Sequence, residues 1–496
     1  MRKRMHPLFI FNAMFQVIRD NIFIIFLLFI LNFRNDGWIF KYGRWAFFLF
    51  LLGTLIYLIA AWFVTTYEFK DQTAHMYRGV FKKKHSSVPL YRVQNIQRKT
   101  PFYFKWFSAT TLSLETGIQE DGAAMSFDAI SLEEAERIEQ LLDDYRKEER
   151  EVEESELDGG TQLSGLDLEE ERPKRRIHFT PTRKEVLKAS FLSFSFLAII
   201  PLALTAFFKL EEIMDIEEQM TGIVATITKS WLSVTVTVIA ILFLAIITGI
   251  IYAYLRYGKY EVASDDTRIY IRSGILTEKS FSIRKERVQA VQINEPFFKK
   301  MLGLAEVRLI SASTGIGETA DVSSLYPFLP VKRAHSILEE ILPDFELLDG
   351  MERLPKRSLK VKMLRIPWTL IGAIGILFFI GWKYWWSLPI LTAIIYLRRY
   401  FIYRNTRYKM ESGFIQFKVG GLSSSTFITT RKLVTEIFAN QSFLQRKFNL
   451  ISISTVNRTA LLHVETLDDI PEEVGDQFIN WYVNRLEEIE IEQSSH

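Results

Sequence analysis

The chain of 496 residues contains no cysteine. That absence excludes disulfides, thiolate metal sites, iron–sulfur clusters and a cysteine nucleophile, and removes any redox clue to the compartment. An excess of one charge is lacking too. The 61 Lys and Arg against 58 Asp and Glu leave a net +3, too little to suggest a nucleic-acid binder. Histidines are few, and His6, His75, His85, His178, His335, His463 and His496 show no metal-ligand spacing. No Gly-Lys-Ser/Thr phosphate loop and no Gly-x-Ser-x-Gly elbow occurs. Gly315-Ile316-Gly317 lacks the third glycine of a dinucleotide loop and reads as a turn. Carboxylates are abundant, but they fall in a linker and on helix surfaces, where solvation accounts for them. The expectation is a chain without catalytic site, metal or cofactor.

What is present is segregation. A hydrophobic fraction of 48% and a mean hydropathy of +0.08 coexist with 24% charged residues. The two are compatible only if apolar and charged blocks alternate, as in a membrane protein with large soluble parts. Trp45–Val64, Ala189–Phe208 and Trp231–Leu255 are each near the ~20 residues that cross a bilayer core. Phe15–Phe33 adds a span holding Arg19 and Asp20 near its start; its flanks predict a retained anchor, since no small-residue cleavage site precedes Arg34-Asn35-Asp36. Ile366–Trp382 and Tyr384–Leu397, divided by Lys383, complete six spans in three hairpins. Buried helices of a soluble core are the alternative, and suit the last pair better than the first four.

Basic residues set the direction. Lys174, Arg175, Arg176, Arg183, Lys184 and Lys188 precede the third span, and Arg256 and Lys259 follow the fourth. Lys356, Arg357, Lys360, Lys362 and Arg365 precede the fifth, and Arg398, Arg399, Arg404 and Arg407 follow the sixth. The loop between spans three and four is acidic, with Glu211, Glu212, Asp215, Glu217 and Glu218. Both termini and all large soluble blocks are therefore expected in the cytoplasm, although Arg34, Lys41 and Arg44 dissent.

The soluble blocks repeat. Tyr77-Arg78-Gly79-Val80-Phe81, Ile271-Arg272-Ser273-Gly274-Ile275-Leu276 and Phe417-Lys418-Val419-Gly420-Gly421-Leu422 correspond. At one constant distance follow Arg92-Val93-Gln94-Asn95-Ile96-Gln97, Arg287-Val288-Gln289-Ala290-Val291-Gln292 and Leu433-Val434-Thr435-Glu436-Ile437-Phe438. Pro101-Phe102, Pro296-Phe297 and Ser442-Phe443 keep the register, as do Lys105, Lys300 and Arg446. Arg268–Arg272 and Phe414–Lys418 alternate with period two before a glycine, a hairpin signature, and Val307–Ile310, Leu450–Thr455 and Leu461–Glu465 are further β-type runs. Each block closes on an amphipathic helix: Leu132–Tyr145, Val331–Leu342 and Glu472–Leu486, with Pro330 and Pro471 at two of the starts.

Span pairs each followed by a block with this Arg-Val-Gln-x-(Ile/Val)-Gln strand resemble bacterial membrane proteins carrying pleckstrin-homology (PH) type domains, the YdbT-like group. The resemblance covers nearly the whole chain. It implies three PH-like domains, each a seven-stranded antiparallel sandwich capped by its C-terminal helix. It also implies a smaller membrane partner of the same domain type, and an association with envelope stress and tolerance of membrane-active antimicrobials. The third copy departs from the motif at Leu433, Thr435 and Phe438. The resulting division is a first hairpin in 1–64, a PH-like domain in 65–146 and an acidic linker in 147–186. A second hairpin in 187–255, a domain in 256–348 and a basic linker in 349–365 follow. A third hairpin in 366–400, a domain in 401–488 and a tail in 489–496 complete the chain.

Three features are candidates for contact with lipid or partner. Arg92, Gln94 and Gln97, with Arg287, Gln289 and Gln292, either contact a headgroup or partner or hold a strand bend. Val93 and Ile96 are three apart, so a β-bulge is needed to bring both inward. Lys82-Lys83-Lys84, followed by His85, is either an anionic-lipid contact or a solvated loop. Glu148–Arg172, with Gly159-Gly160, reads as a disordered acidic spacer. The function expected is that of a scaffold presenting three domains to membrane lipids or partner proteins, with no nucleic acid. A transporter or lipid-handling protein is the alternative, opposed by the scarcity of ionisable residues in the span centres.

Overall fold

The computed structural model describes residues 2–31, 37–116, 124–157, 175–192, 230–311, 324–343, 345, 347–348, 350–380, 385–411, 413–458 and 463–484. Three modules follow one another. The first contains β1 (Lys3–Arg4), β2 (Thr66–Lys70), β3 (Thr73–Arg78), β4 (Lys84–Pro89), β5 (Val93–Thr100), β6 (Ala109–Thr116) and β7 (Ala124–Ser131). The second contains β8 (Arg176–Phe179), β9 (Glu261–Ser264), β10 (Arg268–Ser273), β11 (Glu278–Arg284), β12 (Val288–Glu295), β13 (Leu304–Ser311) and β14 (Ser324–Pro330). The third contains β15 (Glu352–Arg353), β16 (Arg407–Met410), β17 (Phe414–Gly420), β18 (Ser424–Thr430), β19 (Val434–Asn440), β20 (Leu450–Asn457) and β21 (His463–Pro471). Closing helices are Leu132–Leu157, Val331–Ile341 and Glu472–Val483. The first runs past the expected Tyr145, so part of the stretch expected to be a disordered acidic spacer is helical; its remainder, 158–172, lies outside the described residues.

The first strand of every module comes before its apolar hairpin and the second comes after it. Lys3 and Arg4 pair with Tyr67 and Thr66, Ile177 with Ala263, and Arg353 with Arg407. A chain that leaves β1, β8 or β15 must therefore return beside its own starting point, so each inserted segment begins and ends on one side. Simple division into hairpin, domain and linker misplaces these strands: β8 lies in the expected acidic linker, and β15 with the helix Lys356–Leu364 in the expected basic one. The cause is local. Met5, Phe179 and Leu354 are apolar side chains beside basic ones, and all three are buried in their modules. Pro7 and Pro355 follow two of them and cap the next helix, where a missing N–H costs nothing, and Pro181 stands just before Thr182, which caps Arg183–Leu192.

The chain separates into two compact units, Met1–Arg175 with Thr180–Glu261 and Tyr270–Ser282, and Arg176–Phe179 with Val262–Ile269 and Ile283–His496. In the first unit β1-β2-β3-β4 form an antiparallel sheet, and β7-β6-β5 continue into β11 and β10. Its core joins Tyr67, Met76, Leu112, Leu114 and Phe127 to Ala135, Ile138 and Leu142 of the closing helix. The register of β5 on β6 shifts between Val93 and Asn95, and this bulge brings Val93 and Ile96 both inward, as their spacing requires. The same shift recurs at Val288/Ala290 and Val434/Glu436. In the second unit a seven-stranded sheet runs β14-β13-β12-β18-β17-β16-β15, and a three-stranded sheet runs β19-β20-β21. Phe417, Phe427, Ile453, Leu467, Phe478 and Trp481 fill the core between them. Fully buried Asp469 there ion-pairs with Lys362 at 2.9 Å and Arg365 at 2.6 Å, fastening the helix Lys356–Leu364 to β21.

Among the described residues, Trp38–Val64 and Lys356–Phe378 are long and apolar enough to cross a membrane. A third crossing results if Leu8–Asp20 and Ile22–Phe29 are one bent span. This pair begins earlier than the expected first span Phe15–Phe33: the helix bends by 61° at Asn21, and Tyr103 holds its first half to the module by bonding Asn12 and packing against Phe11 and Phe15. Trp231–Tyr257 and Ser387–Asn405 are helical, whereas most of Ala189–Phe208 lies outside the described residues.

Phe179 tests whether the strand before a hairpin belongs to a module core. Its ring packs on buried Tyr326 at 5.0 Å, with the Arg333 guanidinium over the ring at 4.9 Å. Phe179→Ala should cost about 3–5 kcal/mol, measured by denaturant unfolding of the full-length protein in detergent. An unmoved midpoint would mean that β8 contributes no core.

Candidate membrane-facing surface

In each module the turn after its Gly-bearing strand sits on the end of a hairpin helix. Gly79, Gly274 and Gly420 adopt φ of 109°, 94° and 147°, and a Cβ on Gly274 would lie 2.1 Å from the Thr277 carbonyl oxygen, so glycine is required. In the first module the Phe81 ring stacks on Tyr57 of the helix Trp38–Val64, with centroids 6.3 Å apart. In the second the Gly274 and Ile275 N–H groups donate to the Gly258 and Leu255 carbonyls at 3.0 and 2.9 Å. In the third Asn405 Nδ2 donates to the Gly421 carbonyl at 2.6 Å. The tips end in Phe81, Leu276 and Leu422, repeat-equivalent and all exposed; Phe81 reaches 91%. Each apolar tip is thus bare beside the end of an apolar helix. Lys82 and Lys83 stand in the Phe81 turn, and Lys84 opens β4; all three are exposed.

The short helix after each edge strand adds further bare apolar groups. Phe102, Trp106 and Phe107 are exposed in the first module, Phe298, Met301 and Leu302 in the second, and Phe443 in the third. Lys105, Lys300 and Arg446 stand among them.

The motif strand proves to be a joint between modules. β5 pairs with β11, setting Gln97 opposite Phe281 and Thr100 opposite Glu278. β12 pairs with β18 in the same register, setting Gln292 opposite Phe427 and Glu295 opposite Ser424. Lys105 Nζ donates across the first joint to the Ile275 carbonyl at 2.7 Å and to Glu278 at 2.8 Å. At the second, Lys300 Nζ donates to Ser424 Oγ at 3.1 Å, and Lys418 pairs with Glu295 at 2.9 Å. Gln289 lies at the bulge, and its carbonyl accepts from Thr429 Oγ1 at 2.9 Å. Gln94 lies at the corresponding place in β5. Arg92 and Arg287 are exposed at the ends of one-turn helices before these strands, and Arg92 lies against its neighbour Tyr91. The arginines are thus separated from Gln97, which is buried, and from half-buried Gln292. The repeated Arg-Val-Gln pattern located this joint but did not say that its edge would be filled by the next module.

Two carboxyls, Glu278 at the first joint and Glu115 on β6, are shifted. Partial burial raises Glu278, but bonds and charge from Lys105 and Arg272 outweigh it and hold the group below its ordinary value. Burial pushes Glu115 up to about 7, opposed only by the bond that Asn95 Nδ2 donates at 3.4 Å. No group of three or more His, Asp or Glu able to hold a metal occurs among the described residues. Folded Glu115 keeps a proton that the unfolded chain releases from about pH 4.5, so its contribution to stability declines between about pH 4.5 and 7. Glu115→Gln removes that loss. The variant should match the parent near pH 4 and exceed it at pH 8 by up to roughly 3 kcal/mol, read from unfolding midpoints in detergent; equal midpoints at pH 8 would refute the assignment.

Comparison with known proteins agrees with the three modules. The family model described as "Bacterial PH domain" matches residues 22–146, 197–344 and 363–486. The chain is 26% identical to the UPF0699 transmembrane protein YdbT of Bacillus subtilis (strain 168), over 97% of this chain and 98% of that protein. No solved structure matches. Three tandem matches covering most of the chain, each including most of its apolar insertion, show that this is a membrane protein of the bacterial PH domain family.

Proposed function

We propose that the chain is a non-enzymatic scaffold at the inner face of a bacterial plasma membrane. Six spans in three hairpins anchor it, with both termini cytoplasmic, and three PH-like modules face lipid and partner proteins. The observation that carries the reading is the pairing of module to module through β5–β11 and β12–β18. Continuous strand pairing lends itself to holding surfaces in a fixed order. The basic residues flanking the hairpins support the orientation, and the strands that bracket each insertion support an even number of crossings. The lipid surface is the Phe81 tip with Lys82, Lys83 and Lys84: an apolar wedge beside cations suits an anionic headgroup region. The family resemblance further suggests a smaller membrane protein of the same domain type as a partner, and a place in envelope stress or tolerance of membrane-active antimicrobials.

The lipid reading is tested in nanodiscs of mixed anionic and zwitterionic lipid. At about 1 kcal/mol per lysine near a charged surface, replacing Lys82, Lys83 and Lys84 by Gln should lower retention of anionic lipid by roughly tenfold or more. Retention equal to the parent's would leave the loop a solvated turn. Reporter fusions at Gly159 and His496 should both report the cytoplasm, and a periplasmic signal from either would overturn the proposed topology.

A further inference from the structure

Each internal joint takes one edge from a module's later strands and one from the next module's earlier strands. β5 and β12 supply the first kind, and β11 and β18 the second. By the repeat, β19 is a third edge of the first kind and β4 a third edge of the second. Neither has a strand against its outer side among the described residues: β4 ends its sheet, and β19 ends another. Burial records the difference. Gln97, inside the first joint, is 9% exposed, whereas Phe438 at the equivalent position of β19 is 46% exposed.

We propose that a second copy of this chain fills these edges, β4 of one copy pairing antiparallel with β19 of the other in the register of the internal joints. That register sets Ser86 opposite Phe438, Lys84 opposite Asn440 and Lys83 opposite Gln441. The side chains suit one another there. Both internal joints put one phenylalanine opposite one polar residue, Phe281 with Gln97 and Phe427 with Gln292. Between copies the aromatic changes strands, with serine in the place of Phe281 and phenylalanine in the place of Gln97, so the pairing of large with small persists. The lysines meet amides rather than cations. Arg446 stands beyond β19 where Lys105 and Lys300 stand beyond β5 and β12, and reaches for the turn that carries Val80 as Lys105 reaches the Ile275 carbonyl. A bare edge carrying an exposed aromatic is a template for strand addition. Because the two edges differ, the contact is head to tail and builds rows or rings in the plane of the membrane.

The absence of native cysteine makes the test direct. At the second joint Ser425 Oγ and Asn294 Oδ1, equivalent to Lys84 and Asn440, lie 2.8 Å apart, so cysteines at such a pair are within disulfide reach. Differently tagged copies carrying Lys84→Cys and Asn440→Cys are co-expressed and oxidised in native membranes. A disulfide joining the two tags is expected, and Lys84→Cys with Glu436→Cys should give none. Adding Phe438→Asp to the Asn440→Cys copy should lower the yield by roughly tenfold or more, because pairing would desolvate the charge. Three results overturn the proposal: no disulfide between tags, cross-linking only within one chain carrying both cysteines, or capture by Asn440→Cys of a different polypeptide alone. The proposal rests on the scaffold reading but fails separately from it, since a missing disulfide between tags leaves the reporter-fusion topology and the pairing of β5 with β11 and β12 with β18 within one chain intact.

Discussion

A strand at the margin of a sheet presents backbone N–H and C=O groups that water satisfies poorly once side chains crowd them, and another strand satisfies well. In this chain that requirement links one module to the next. β5 meets β11, and β12 meets β18, in one register. The polar groups around the joints follow from it: Lys105 reaches a carbonyl and Glu278 of the neighbouring module, and Asn457 Nδ2 bonds the Gln289 carbonyl and Thr429 Oγ1. A small bulged sandwich alone would leave several edges open. Repetition closes four of them, β5 against β11 and β12 against β18.

The second constraint is imposed by the bilayer. The two ends of each apolar insertion must meet, and each module enforces this by starting its sheet before the insertion and resuming it afterwards. Proline after the opening strand starts a helix that then packs on the module, most firmly in the third, where Ser358 and Val361 are buried and Lys362 and Arg365 hold Asp469. The return is held by the tip that follows the conserved-position glycine of the repeat, against the end of the second helix. The apolar tip residues and the lysines beside Phe81 therefore stand at the ends of the inserted helices because of how the module is threaded.

Much of this was legible in the residues. Span-length apolar blocks, the three glycine turns, the bulge implied by Val93 and Ile96, and the three closing helices are local patterns of hydrophobic period and turn chemistry, which short sequence windows carry. β1, β8 and β15 were not legible, because two to four residues such as Lys3-Arg4 or Glu352-Arg353 carry no period of their own. Met5-His6-Pro7, Phe179-Thr180-Pro181 and Leu354-Pro355 were the available signal, an apolar residue just ahead of a helix-opening proline. The bend at Asn21 was hidden in the same way, since apolarity measures the length of a segment and not its straightness.

The sequence by itself determined the class of the protein, the number of its modules and the faces of its strands. Hydrophobic burial acts on each short segment with a period set by local backbone geometry, and that information is written along the chain. Only the tertiary structure decided which edges meet, because strand pairing joins backbone groups that are alike at every residue. Gln97 and Gln292 therefore read as candidates for an outside ligand, and in the folded chain they lie opposite Phe281 and Phe427 of the next module.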